Sequence, residues 1–429
     1  MMKLLDLLHR WCGGLLGLIL AILGLSGAFL VHKEEWIGLP HASDVRVTNP
    51  SQLGQLVEQL LGRAKGGESL VFASDRFGLV QLRDGAHGLY ATQRGEIIAR
   101  WSSLFERPEL WLFDLHHHLF TGDAGETVVG VAGLAAIVFA VTGTILWWRT
   151  RRTFRFRLWP SRMTGPAIRM QHRDLGIIAA PMLLLLALTG TMMIFRPVAG
   201  AVLSPLSYPA AIEADLKAPQ LSAGPLAPDL DWPAIVSAAH DAFPSAELRI
   251  VSIPKKPGDP ITIRMKQSAE WLPNGRTMLW FDPADGRLLG SRDATGMQVG
   301  TQAFNMAYPI HAGKVGGLAY RLLLTAVGLA LALLGSLSVW SFWFCKKQKQ
   351  AANPLRQRCA AAVKQRSCKG LIPTALASTA SGGFGAIETP CHSEPEQGKE
   401  CQYAPFHRVS RHQPQRGNTD GILSDCQRD

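Results

Sequence analysis

The chain carries 13 histidines, and those placed to do chemistry recur in pairs. His9 and His172 open two long apolar runs in matching order, His9-Arg10-Trp11-Cys12-Gly13 and His172-Arg173-Asp174-Leu175-Gly176. Each is followed by a glycine four residues on and another eighteen residues on, Gly27 after Ser26 and Gly190 after Thr189. His116, first of the triplet His116-His117-His118, and His311 stand just ahead of two further apolar runs. Ionisable groups at membrane helix ends are costly when unpaired, so such histidines are functional candidates by default. Set at two levels on facing helices of a bundle, they can supply what a b-type haem needs, axial imidazoles from opposite sides of a flat macrocycle. Arg10 and Arg173 then suit haem propionates. The same residues also read as an interfacial set, histidine and arginine snorkelling to lipid phosphate. His32 is a reserve ligand at the other boundary, while His41, His87 and His240 read as surface residues.

The elements that must position these residues are membrane helices. Four uncharged runs, 11–31, 127–148, 175–195 and 322–345, are long enough to cross a bilayer, which takes about 20 residues. Only 18% of the chain is charged, against roughly 25% in a globular protein. The net charge of +11 is no sign of nucleic-acid binding, because it is concentrated beside the apolar runs: eight arginines and no acid at 149–173, eight bases and no acid at 346–369. Positive flanks face the cytoplasm, which predicts a multi-pass protein with both termini cytoplasmic. The loops 32–126 and 196–321 are then exported, and are close to neutral, with 9 bases to 13 acids and 12 bases to 11 acids. The division is 1–31, 32–126, 127–148, 149–174, 175–195, 196–321, 322–345 and a tail at 346–429, which lacks apolar periodicity and reads as disordered. The first run is too long for a cleaved signal segment and no small-x-small site precedes His32. None of the seven cysteines falls in the exported loops, so no disulfide framework holds them.

The chain also repeats itself. Gly143 precedes Trp148 by five residues as Gly335 precedes Trp340, and each exported loop has a helical stretch (51–61, 232–243) followed by apolar segments around a glycine turn, Gly95 and Gly286. These features predict a duplicated unit of helix, small α+β domain and helix. Glycines at 13, 17, 24, 27, 176 and 190 reduce bulk where a helix meets a macrocycle or another helix.

The segments LHRWCG and QHRDLG, LHHHLFTGDAGE, IHAGKVGG and FDPADGRLLG resemble the PepSY-associated transmembrane family, which includes iron-regulated inner-membrane proteins and a ferrioxamine reductase. The resemblance covers about residues 1–345. It implies a bacterial inner-membrane protein with two b haems that handles siderophore iron, and two PepSY-like exported domains. It also implies axial ligands at His9 with His172 and at His116 with His311. Three histidines stand where the family pattern has one; His116 matches its spacing to Leu119 and Gly122, and His117 or His118 could replace it by a small rotation. No P-loop, Rossmann glycine pattern, HExxH or CxxC occurs, so electrons must come from a quinol or a cytoplasmic donor. The expected reaction is reduction of a ferric siderophore outside the membrane, since Fe(II) binds hard-oxygen chelators more weakly. Trp271, Trp280 and Lys255 are candidate contacts for the iron chelate. The competing reading, from another class, is a non-enzymatic regulator whose PepSY-like domains bind an exported peptide or protease.

Overall fold

A computed structural model describes residues 2–62, 64–72 and 77–345; the tail at 346–429, with its expected disorder, lies outside the described residues. In chain order the elements are α1 (Met2–Leu30), α2 (Lys33–Gly38), α3 (Pro50–Leu61), β1 (Ser69–Phe72), β2 (Leu79–Asp84), β3 (His87–Thr92), β4 (Ile97–Trp101), α4 (Pro108–His118), α5 (Asp123–Trp148) and α6 (Gly165–Ile194). The second half continues with α7 (Arg196–Leu203), α8 (Pro209–Leu216), α9 (Trp232–Ala242), β5 (Glu247–Ser252), β6 (Ile261–Lys266), β7 (Thr277–Phe281), β8 (Leu288–Arg292), α10 (Val299–His311) and α11 (Gly317–Trp343).

Among the described residues, α1, α5, α6 and α11 are long and apolar enough to cross a membrane, and the protein is a multi-pass membrane protein. Two of them outrun their apolar segments. α1 starts at Met2 and α6 at Gly165, so His9 and His172 each lie about two turns inside a helix rather than at its head. Lipid gives apolar side chains no reason to prefer a neighbouring helix, so close backbone approach has to come from small residues. A Cβ on Gly24 would stand 2.5 Å from the Gly328 carbonyl oxygen, and one on Gly17 would stand 2.8 Å from that of Gly335. Glycine at these positions lets α1 and α11 touch backbone to backbone. Gly130 on α5 instead makes room for a side chain, the ring of Phe195 at the end of α6.

The loops 32–126 and 196–321, expected as two separate small domains, build one sheet. Its order is β4-β3-β2-β1-β5-β6-β7-β8, with every neighbouring pair antiparallel. The join is β1 on β5, with Leu70 opposite Val251. Both strands would otherwise leave an open row of N–H and C=O groups. One face of the sheet is covered by α3 and α9, each entered through a cap: Asn49 accepts from the Ser51 and Gln52 N–H groups, and Asp231 from that of Ala234. These two helices and the inward residues of the strands form a single core, including Val57, Leu70, Val80, Val251, Ile263 and Phe281. The other face carries Leu79, Tyr90 and Trp101, packed with Ile37 and Leu110, and is turned toward the helices that lead into the bundle.

His116 and His311, expected just ahead of the second and fourth spanning helices, each occupy the last turn of a separate short helix, α4 and α10. Beyond each of these helices the backbone changes direction. After α4, Leu119 and Phe120 hold left-handed backbone at φ 48° and 61°, a conformation that costs L-residues roughly 1–2 kcal/mol each. After α10 the same work falls to Gly313, Gly316 and Gly317, for which it is free of that penalty.

Candidate functional site

Four histidines meet in two pairs. At the arginine-rich end of the bundle, the rings of His9 and His172 have centroids 6.2 Å apart with planes at 84°. At the sheet end, His116 and His311 stand 6.3 Å apart with planes at 56°. Along α1 His9 is followed 18 residues later by Gly27, which lies beside His116, and along α6 His172 by Gly190, which lies beside His311; 18 residues are about 27 Å of helix rise, close to the thickness of the hydrocarbon layer.

Each ring is held by its Nδ1. His9 Nδ1 lies 2.8 Å from Thr142 Oγ1, His116 Nδ1 2.9 Å from Ser26 Oγ, His172 Nδ1 3.2 Å from Ser338 Oγ, and His311 Nδ1 3.0 Å from the Leu186 carbonyl and 3.2 Å from Thr189 Oγ1. The partners fix the tautomer. Thr142 and Ser26 give their one proton to the carbonyls of Val138 and Ile22, so their oxygens accept from the imidazole. A carbonyl can only accept, so His311 also carries its proton on Nδ1. That leaves Nε2 with the lone pair, the arrangement in which a histidine ligates a metal while a hydrogen bond to its other nitrogen orients the ring. Burial, together with the neighbouring His311 and His117, pushes the pKa of His116 down to about 3, and burial lowers that of His311. Both rings are neutral imidazoles at physiological pH, the state that ligation requires.

Room has been left beside the rings. A Cβ on Gly27 would stand 3.1 Å from His116 Cε1, one on Gly190 2.9 Å from His311 Cε1, and one on Gly143 3.5 Å from His9 Cε1. Gly13 and Gly176 lie one turn after His9 and His172 on the same helix face, and a Cβ on either would meet nothing within 4 Å. Of the glycines singled out in the sequence, Gly17 and Gly24 serve helix packing. Beside the His116–His311 pair lies a cavity of about 360 Å³, within the range of ligand pockets. Its walls near the pair are mostly apolar and glycine, among them Leu23, Gly27, Val129, Gly133 and Leu186.

The set of donors decides what could be held. No group of three or more His, Cys, Asp or Glu able to hold a bare metal ion occurs among the described residues. Two facing imidazoles suit a metal that brings its other four donors with it, as haem iron does. Imidazoles bound on opposite sides of one metal, each at about 2.0–2.1 Å with the ring centre roughly 1.1 Å further out, have centroids about 6.3 Å apart. Both observed separations fit that value.

The remaining expected residues fall elsewhere. Arg10 is exposed and lies 3.9 Å from Asp6. Arg173 commits its donors to Asp174 and to Thr153, 2.7 Å from its Oγ1 and 2.9 Å from its carbonyl. Asp174, fully buried, also takes Arg157 and the Arg155 N–H, so this cluster pins the basic loop to α6. His117 lines the cavity with its ring stacked on Phe113 at 5.1 Å, and His118 turns to Asp114 at 3.0 Å. His32 has its Nε2 on Thr325 Oγ1 at 2.8 Å and is not among the residues that line the cavity. Trp280 points away from the core, under Arg292 at 5.4 Å, and is only 3% exposed, which leaves it no surface for a chelate, whereas Trp271 is half exposed. The hydroxyl partners Ser26, Thr142 and Thr189 were not recognised from sequence. Their signal is a Ser/Thr-Gly dipeptide inside an apolar run, Ser26-Gly27, Thr142-Gly143 and Thr189-Gly190, the hydroxyl orienting a ring and the glycine making space for it.

The fold and site define a four-spanning membrane protein in which histidines from both halves of the chain meet at the two ends of the bundle. It belongs to the PepSY-associated TM region family, which matches residues 7–346. Among curated proteins it is similar to an uncharacterized protein of Pseudomonas aeruginosa, 26% identical over 280 residues that cover 62% of this chain and 70% of the relative.

Proposed function

We propose that this is a di-haem b protein of the bacterial inner membrane that carries electrons across the bilayer to reduce the iron of a ferric siderophore on the exported side. The observation that carries the reading is the pair of imidazole separations, 6.2 and 6.3 Å, each ring held through Nδ1 and free at Nε2. His9 and His172 would hold one haem, His116 and His311 the other. Haem when bound supplies one-electron Fe(III)/Fe(II) chemistry. The protein's own residues orient the four rings through hydroxyls and a carbonyl, keep the sheet-end pair neutral by burial, and hold the two pairs at opposite ends of the spanning helices. A quinol or a cytoplasmic reductant is the proposed donor, entering at the arginine-rich end, which the positive-inside rule assigns to the cytoplasm. The two halves are read as copies of one unit of helix, PepSY-like domain and helix: each contributes a capped helix followed by four strands, and the sheet order is symmetric about β1 and β5.

The test is a reduced-minus-oxidised spectrum of the purified protein, expected to be of b type, followed by single variants. His9→Ala or His172→Ala should deplete one haem and spare the other, and His116→Ala or His311→Ala should do the converse. Spectra identical in all four variants and the parent would sink the di-haem reading. Ferric siderophore should reoxidise the reduced protein with Fe(II) trapped by a ferrous chelator, and a spectrum unchanged by excess hydroxamate, catecholate and citrate chelates would remove the reductase step alone.

A further inference from the structure

The cavity beside His116 and His311 does not end on apolar helix. Its far end lies under the sheet, where alternation along β2 sends Val80 and Leu82 into the core shared with α3 and α9, and turns Gln81 and Arg83 to the cavity. Lys33, six residues beyond Gly27, reaches the same place, as do Lys314 and Glu34.

The charges there do not balance. Lys314 is paired with Glu34 at 2.8 Å, and Arg321 with Glu35. Glu109 is taken by Arg107 Nε at 2.7 Å and by the Tyr90 hydroxyl at 3.1 Å. Lys33 and Arg83 are left without a carboxylate at ion-pair distance among the described residues. Lys33 Nζ stands over the Phe113 ring at 5.5 Å, and Arg83 gives Nε and Nη2 to the one oxygen of Gln81, at 3.1 and 3.0 Å. Burial, then the charges of Arg83 and Lys314, push the Lys33 pKa down to about 8. Lys33 is half-buried and Arg83 keeps contact with solvent, so an anion can reach both; it would relieve the repulsion of two like charges lining one cavity, and the five-donor fork of arginine still has donors to offer it. The cavity as a whole, apolar by the histidines and cationic by the sheet, has the polarity of a ligand with an apolar body and carboxylates at one edge.

We infer that Lys33 and Arg83 form a carboxylate-binding site at the sheet end of the His116–His311 cavity. The carboxylate has two possible sources, the propionates of a macrocycle held by the histidines, which rests on the haem reading above, or a free carboxylate ligand, which does not.

Full-length apoprotein in detergent, titrated with haem and with haem dimethyl ester, separates them, since the ester keeps the macrocycle but has no free carboxylate. If propionates are bound, the ester binds the sheet-end site about tenfold more weakly than haem, the loss expected for charge-assisted hydrogen bonds. Lys33→Gln and Arg83→Gln then bring haem down to the level of the ester without changing the ester's own affinity, and Lys33→Arg keeps the difference. If the source is free, haem and ester bind alike, and citrate, followed by calorimetry, binds the parent and not the glutamine variants. Equal binding of haem and ester with no citrate binding overturns the inference. Should the protein take up no haem, the haem reading has failed by itself, and the citrate titration of parent against Lys33→Gln still decides the anion site, binding lost in the variant supporting it and no binding in the parent refuting it.

Discussion

At the scale of single residues, the four histidines behave as a set because each is held through Nδ1 and open at Nε2. The hydroxyls are the part most easily tested. Ser26→Ala removes the acceptor of the His116 Nδ1 proton, and loss of such an orienting contact typically costs 10–100-fold in metal affinity. Haem loss in Ser26→Ala should be confined to the His116–His311 site, and in Thr142→Val to the His9–His172 site, with Ser26→Thr restoring the first. A uniform loss of both haems in either variant would show that the hydroxyls serve folding instead. Lys33 gives the pH dependence. It carries its charge below about 8, in view of Arg83, Lys314, Glu34 and Glu109, so carboxylate affinity should be full near neutral pH and fall as pH rises through about 8. Folding runs the other way: the unfolded lysine holds its proton up to about 10.5, so the cost of burying the charge, present below 8, is relieved between about 8 and 10.5. Thermal melts of the anion-free parent should therefore gain on those of Lys33→Gln across that window, and parallel curves would show that Lys33 is not buried with its charge.

At the scale of elements, the contact between α1 and α11 depends on glycines that have no alternative. Gly24→Val should lower the melting temperature in detergent and deplete both haems, because the added carbons meet the Gly328 carbonyl rather than a movable side chain; overpacking of this kind costs roughly 1–3 kcal/mol. Gly13→Ala, which meets nothing within 4 Å, should melt with the parent. Equal melting of the two variants would refute the packing account. The same elements show what the sequence discloses. A run of about 20 uncharged residues is a local signal, so four spanning helices were legible, and with them the two levels of histidines. Their true ends were not, because an apolar run stops at the first charge while backbone hydrogen bonding carries α1 back to Met2 and α6 to Gly165. α4 was missed as a helix for a related reason. Trp111, Leu112, Phe113 and Leu115 follow one another round its surface, and a helix covered by both sheet and bundle shows no single apolar stripe.

At the scale of the whole molecule, the one-sheet arrangement was beyond local reading, since β1 and β5 are about 180 residues apart and nothing in either strand names its partner. Orientation is the property to check first at this scale. A reporter fused after Arg157 should sit in the cytoplasm and one after Asp259 outside, and the reverse result would remove outward reduction altogether. The sheet also has a consequence for how the chain is made. Synthesis proceeds at roughly 5–20 residues per second, so β1 is finished some tens of seconds or less before β5 exists, and for that interval the nascent first half presents a bare strand edge of the kind that recruits wrong partners. Both histidine pairs draw one ring from each half, His9 with His172 and His116 with His311. The half-made protein is therefore exposed to misassembly at its sheet while it is still unable to close either histidine pair, and synthesis must reach His311 before the second pair can form.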